Sequence, residues 1–220
     1  MVKILGIDEA GRGPIIGSMF IVGVLAAEET ELKFKEIGVK DSKLLTHKKR
    51  CLLENKIKDL ALKVKIVRVQ PLEIDSAVDG GKINLNWLEA HKQAEIINEL
   101  KPDKAFIDCP SPNCRKYKDY LKAILDDKTV ELIVEHKADK NYFIVGAASI
   151  IAKCEREKEV AELKKKYGDF GSGYMSDPYC NKFFKEKFEK YPELFRKSWA
   201  PYKDAVNGKK QTTLDKFTGR

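Results

Sequence analysis

A chain of 220 residues that is 43% hydrophobic and 35% charged has apolar surface for one sizeable core and the composition of a soluble globular protein, more charged than average. No apolar run reaches the roughly 18 residues of a membrane span, and the start lacks a signal-peptide pattern, so no membrane contact and a cytoplasmic location are expected. Its 42 basic side chains against 34 acidic ones leave a net charge of +8, which suits a polyanionic partner without specifying one.

Val2 to Asp8 reads as a short buried strand, and Ile15 to Leu25 as a second run rich in branched residues. The glycine-rich turn between them predicts a hairpin-like pair. Thr46 is placed to cap a helix whose apolar face is Leu52, Leu53, Ile57, Leu60 and Ala61. Val64 to Val69 alternates as a third strand ended by Pro71. Asn84 caps a second helix bearing Leu85, Leu88, Ile96, Ile97 and Leu100, and Pro102 closes it. Ala105-Phe106-Ile107 then leads into Asp108 as a short fourth strand. A helix near Arg115 to Leu125, a strand from Val130 to Val134 and a long helix from Asp139 towards Lys166, stopped at Gly168, follow.

Such an order predicts an α/β fold, a mixed sheet with helices packed on it. Beyond Gly171 the pattern changes. Asp177-Pro178 is an N-cap with proline at the first helical position, and Phe183, Phe184 and Phe188 form an apolar stripe. The Tyr191-Pro192 break and a short helix near Trp199 to Val206 follow. The expected division is a sheet domain over 1–170, a helical extension packed on it over 171–207, and a tail over 208–220.

Residues 6 to 13 carry the chemistry, reading Gly-Ile-Asp-Glu-Ala-Gly-Arg-Gly. Carboxylates bind divalent cations, and a glycine turn lets backbone groups approach a ligand closely. Consecutive strand residues face opposite ways, so Asp8 and Glu9 can share a site only if the strand ends or bends at Glu9. Asp108 also ends a strand, and Asp139 follows the last one. Separately, Asp8-Glu9 reads equally as a solvated strand end, Asp108 as a turn residue and Asp139 as an N-cap. Together, acids repel unless a cation gathers them, which favours Mg²⁺ or a like ion. A dinucleotide-binding reading of Gly11-Arg12-Gly13 fails, because Ile16 stands where the third glycine belongs and Pro14 precedes a strand.

Five scattered cysteines suggest reduced thiols. Cys109 and Cys114 stand close together, yet no second pair completes a zinc site. His47, His91 and His136 lie away from every motif and receive no role.

The motifs together resemble the ribonuclease HII family in its archaeal form. The resemblance rests on Gly6 to Gly13, Lys40-Asp41-Ser42-Lys43, Ile107-Asp108 with Pro110-Ser111, Asp139 followed by Val145 to Lys153, and Gly171 to Tyr174 with Ser176-Asp177-Pro178. It implies a ribonuclease H-like fold, a five-stranded mixed sheet flanked by helices with a helical C-terminal extension. It also implies Mg²⁺- or Mn²⁺-dependent two-ion cleavage of the RNA strand of RNA–DNA hybrids, and incision at single ribonucleotides embedded in duplex DNA, leaving 3′-hydroxyl and 5′-phosphate ends. By motif, Asp8, Glu9, Asp108 and Asp139 are the metal-binding catalytic acids. Gly11, Arg12 and Gly13 would read the 2′-hydroxyl, and Tyr174 would stack on a sugar beside the cut. Lys40, Ser42, Lys43, Ser149 and Lys153 would contact the substrate backbone. A monomer is expected.

The tail Gln211-Thr212-Thr213-Leu214-Asp215-Lys216-Phe217 resembles the peptide that docks on the replication sliding clamp, proliferating cell nuclear antigen, through Gln211, Leu214 and Phe217. Thr218 stands where a second aromatic is usual, which should weaken the contact.

Overall fold

The computed structural model describes residues 1–39, 45–81 and 83–208. Its frame is one mixed sheet of five strands in the order β3-β2-β1-β4-β5. Strand β1 (Lys3–Ala10) pairs antiparallel with β2 (Met19–Ala27), which pairs antiparallel with β3 (Lys63–Val69). On its other side β1 runs parallel to β4 (Lys104–Asp108), and β4 runs parallel to β5 (Glu131–Glu135). The carboxyl ends of β1, β4 and β5 therefore share one edge of the sheet, the place where open α/β sheets put their ligands.

Eight helices are named here in chain order: α1 (Glu31–Glu36), α2 (His47–Leu60), α3 (Pro71–Val78), α4 (Leu85–Leu100), α5 (Cys114–Ile124), α6 (Ala138–Asn141), α7 (Phe143–Tyr167) and α8 (Pro178–Lys187). The period-2 alternation of β1 sorts them into layers. Leu5 and Ile7 meet Leu88, Ile96, Ile97 and Leu100 of α4 and Tyr117 and Leu121 of α5. Ile4 and Ala10 point the other way, onto Phe34 of α1, Leu53 and Ile57 of α2 and the first half of α7. A third apolar cluster joins Ile15, Ile16, Phe170, Phe183, Phe184, Phe188 and Phe195 beyond the sheet's end.

Helix α7 is buried on all sides over its first turns because small residues, Gly146-Ala147-Ala148-Ser149, let it lie close to β1. A methyl group added at Gly6 would stand 2.3 Å from the Ile144 carbonyl oxygen. Backbone cannot yield as a side-chain tip can. Gly6→Ala is therefore expected to cost about 3 kcal/mol, the upper end of overpacking effects, as a lowered midpoint of urea unfolding. The start of α7 has no cap of its own, and Glu31 of α1 supplies one by accepting the N–H groups of Phe143 at 2.6 Å and Ile144 at 3.1 Å.

Several boundaries differ from the sequence pattern. Strand β2 begins at Met19, because Ile15 and Ile16 leave the sheet to bury themselves in the phenylalanine cluster. Leu52 is 61% exposed, one residue off the stripe that Leu53 and Ile57 bury. Pro71 does not merely end β3 but opens α3 at its first turn, where the missing N–H costs nothing. The predicted long helix from Asp139 is two helices, broken at an extended Tyr142. The last helical stretch runs over 200–208. Asn84 and Asp177 cap α4 and α8 through their side chains, accepting from Trp87 at 3.1 Å and Tyr179 at 3.0 Å. No helix among the described residues is long and apolar enough to cross a membrane.

Candidate active site

Asp8, Glu9, Asp108 and Asp139 line one cleft, together with Gly11, Arg12, Gly13, Lys153, Arg156, Glu157 and Tyr174. The strand does not end at Glu9, one of the two ways (the other a bend) in which the alternation argument let both acids share a site. It pairs with β2 through Ala10, so Asp8 and Glu9 leave on opposite faces. They reach the same cleft because the β1–β4 ladder stops at Ile7 opposite Ile107. Beyond that point the flank of β1 is open, and side chains from either face can turn into the gap. Asp108 is the last residue of β4, and its carboxylate accepts the Ala138 N–H at 3.1 Å. Lys137, in the left-handed region at φ 60°, turns the chain sharply into α6. Asp139 lies within α6 and so is not an N-cap. It is 7% exposed.

Crowding sets the electrostatics. Burial first, and then the neighbouring Asp108, push Asp8 up to about 7, although Ser149 hydrogen-bonds it and Lys153 stands near. Glu9 is held well above the usual carboxylate range by burial and by Asp8, Glu89 and Asp108. Its Oε2 is buried with no hydrogen-bond partner. A buried carboxylate oxygen with nothing to accept from fits a cation ligand, and an all-oxygen donor set fits hard divalent ions such as Mg²⁺ and Mn²⁺. Among the described residues no three of these carboxylates bring oxygens within 4.8 Å of one another. Like charges repel, and a bound cation would draw these acids together.

The turn after β1 is held from the far end of the chain. Arg196 is fully buried and donates to the carbonyls of Gly11 at 2.5 Å, Arg12 at 2.7 Å and Gly17 at 3.0 Å. Trp199 donates to Gly13 O at 3.2 Å. Ile16 forms a bridge with Phe195, and the Ile15 N–H donates to Gly173 O at 2.9 Å. Gly11 adopts φ +80°, which an L side chain resists, and a methyl there would also lie 2.7 Å from Ser18 O. With its carbonyls engaged inward, the turn presents its opposite edge to the cleft.

Arg12 turns towards α4, donating to Glu89 at 2.7 Å and Asn86 at 2.6 Å. Glu89 itself is fully buried, and burial pushes it up to about 7 against the pull of Arg12. Tyr174 is 38% exposed at the cleft, its ring 3.2 Å from where a Gly13 side chain would begin. The Arg156 guanidinium stacks on it at 5.1 Å and donates to Ser172 O at 2.7 Å. Asp177 folds this loop by accepting the Ser172 N–H at 2.7 Å while capping α8.

Ser149, expected at the substrate, is instead fully buried: it hydrogen-bonds Asp8 and accepts from Lys153 at 2.7 Å. Helix α7 presses it against β1, so it serves the acid rather than a ligand. Lys153 lines the cleft. Lys40, Ser42 and Lys43 lie outside the described residues, as do Gln211, Leu214 and Phe217. Glu89 and Arg196 carry no role in the sequence reading. A signal existed for the first, since Glu89 falls on the apolar stripe of α4 between Leu85, Leu88 and Ile96. Arg196 sits in an irregular segment and has no periodic context.

A family model described as Ribonuclease HII matches residues 5–202. The ribonuclease HII of Pyrococcus furiosus is 42% identical over 224 residues, 98% of this chain and 98% of that relative. The crystal structure of ribonuclease H2 from Pyrococcus horikoshii OT3 superposes with a TM-score of 0.85 at 38% identity, covering 93% of this chain and 97% of that one. The structure of the PCNA:RNase HII complex from Archaeoglobus fulgidus gives 0.81 at 37% identity, covering 90% and 95%.

Proposed function

The chain belongs to the ribonuclease HII family, with a ribonuclease H-like fold and endonuclease activity on the RNA of RNA–DNA hybrids, and we propose that it also incises at single ribonucleotides within duplex DNA. The observation that carries the site is the convergence of Asp8, Glu9, Asp108 and Asp139 on one cleft beside the glycine turn. We assign these four acids as the ligands of two Mg²⁺ or Mn²⁺ ions. When bound, such ions supply an activated water and neutralise charge on the departing 3′-oxygen.

The chain's own residues do the rest. Ser149 and the Glu9 N–H, the latter at 2.7 Å, hold the Asp8 carboxylate in one orientation. Lys153 offsets negative charge next to it. Gly11 to Gly13 place backbone groups where a 2′-hydroxyl can be met, the one group that marks a ribonucleotide in DNA. Glu89 and Asn86 fix the Arg12 side chain, so this turn is set before substrate arrives. Arg156 and Lys153 offer positive charge to the scissile phosphate and its neighbours. A 3′-hydroxyl and a 5′-phosphate are the products of this reading.

Tyr174, packed over Gly13 and backed by Arg156, is placed to stack on the sugar next to the cut. Tyr174→Ala is expected to slow cutting at a lone ribonucleotide by about tenfold or more, one stacking contact of 1–3 kcal/mol, and to slow cutting of a long hybrid less. The comparison is made by single-turnover rates on two duplexes. Equal losses would remove Tyr174 from junction sensing.

The tail motif and the Archaeoglobus complex support a further reading: residues 208–220 dock on the sliding clamp while the nuclease works as a monomer. Deleting them is expected to leave hybrid cleavage within about twofold of the full chain, since none of the assigned acids or turn residues is removed, and to abolish capture by immobilised clamp. Retained capture would reject the motif.

A further inference from the structure

Cys109, Cys114 and His136 bring their ligand atoms within 4.8 Å of one another, and none of the three lines the acid cleft. Parallel pairing builds this meeting point. Cys109 follows Asp108 at the end of β4, His136 follows Glu135 at the end of β5, and the Cys109 N–H donates to the Glu135 carbonyl at 2.9 Å. The intervening turn is itself folded. Ser111 accepts the Asn113 N–H at 3.3 Å, and Asn113 caps α5 by accepting from Lys116 at 2.9 Å, which stands Cys114 at the helix's first residue.

Two thiols and an imidazole form a soft donor set, unlike the all-oxygen acids, and such sets select zinc over magnesium. Four residues separate the two cysteines, within the usual ligand spacing of zinc sites. A tetrahedral zinc ion needs ligand atoms roughly 3.3–3.8 Å apart, given bonds of about 2.0–2.3 Å. Closing the remaining distance takes a shift of at most about 1.5 Å, and the exposed His136 ring can make much of it by rotating. A second pair of cysteines is therefore not required, contrary to the expectation from spacing alone.

We propose that Cys109, Cys114 and His136 bind one thiophilic divalent ion of the zinc class, with its fourth position open to water. Two thiol protons leave on binding. Cys109 is bonded to Asp108, and His136 stands two residues before Ala138, whose N–H meets the Asp108 carboxylate. The ion braces the two loops that carry Asp108 and Asp139 from outside the cleft.

Reduced, metal-free full-length protein would be titrated with Co²⁺ in excess Mg²⁺, which occupies oxygen-ligand sites. One equivalent of Co²⁺ is expected to give thiolate-to-cobalt charge-transfer absorption, which Zn²⁺ then bleaches. Cys114→Ser and His136→Ala are each expected to weaken Co²⁺ binding at least about tenfold, and Cys51→Ser and Asp8→Asn to leave the band unchanged. The Asp8→Asn arm separates this site from the acid cleft, because a loss there would point to the catalytic ions. Absence of the band in protein whose thiols titrate as reduced would overturn the proposal, and so would a band that survives both Cys114→Ser and His136→Ala.

Discussion

Asp8→Asn and Asp108→Asn are each expected to reduce single-turnover cleavage by at least about a thousandfold, some 4 kcal/mol of barrier, without unfolding the chain. Each substitution keeps the side chain's shape and removes a charged oxygen from the cleft. The stability of the two variants should move the opposite way from their activity. Asp8 is held at about 7 in the fold against 3.8 for an isolated aspartate, first by burial and then by Asp108. A carboxyl raised in this way binds its proton more tightly folded than unfolded. Stability without divalent cation should therefore fall as pH rises from about 4 to about 7 and level off above. Glu9 and Glu89, both raised, act in the same direction. Melting temperatures in EDTA across that range test the slope, which Asp8→Asn should flatten and added Mg²⁺ should oppose. Undiminished cleavage in either variant would remove that acid from the site.

Arg196→Ala should produce the largest loss of stability. The guanidinium is fully buried and serves three carbonyls, with no carboxylate among the described residues bonded to it. Burial pulls its proton affinity down to about 10, which still leaves it charged at neutral pH. Hydrogen bonds with a charged donor contribute about 1.5–3 kcal/mol each. Truncation leaves three carbonyls without that donor, so a loss of at least about 3 kcal/mol is expected from urea unfolding. Below its melting temperature the variant should still cut at least about tenfold more slowly, because the turn over Gly11 to Gly17 loses its anchor. Arg196→Lys should fall between the two, since a lysine cannot span three acceptors at fixed angles. Full cleavage by folded Arg196→Ala would show that the turn holds its shape alone.

Periodic features were legible in the chain, and features made by tertiary meeting were not. The strands and caps could be read because Val64 to Val69 alternates and because Asn84 and Asp177 carry cap chemistry. Ile15 and Ile16 look like strand, yet they pack with Phe183 and Phe195, a partner surface more than 160 residues away. Tyr142 breaks the predicted long helix because Glu31 caps the start of α7 from another element. The four acids could be found because strand ends are visible in sequence. How Asp8 and Glu9 share a cleft could not, since it depends on where the ladder with β4 stops. Ser149 looks like a polar surface residue until α7 is seen lying against β1.

Dependence of the 11–17 turn on Arg196, Phe195 and Trp199 has a consequence for biosynthesis. A ribosome delivers Asp8 and the glycines about 180 residues before the arginine that secures them. Nascent chains that stop short of Arg196 can pair their first strands but lack the anchor of the 11–17 turn, so full competence to cut waits for that arginine.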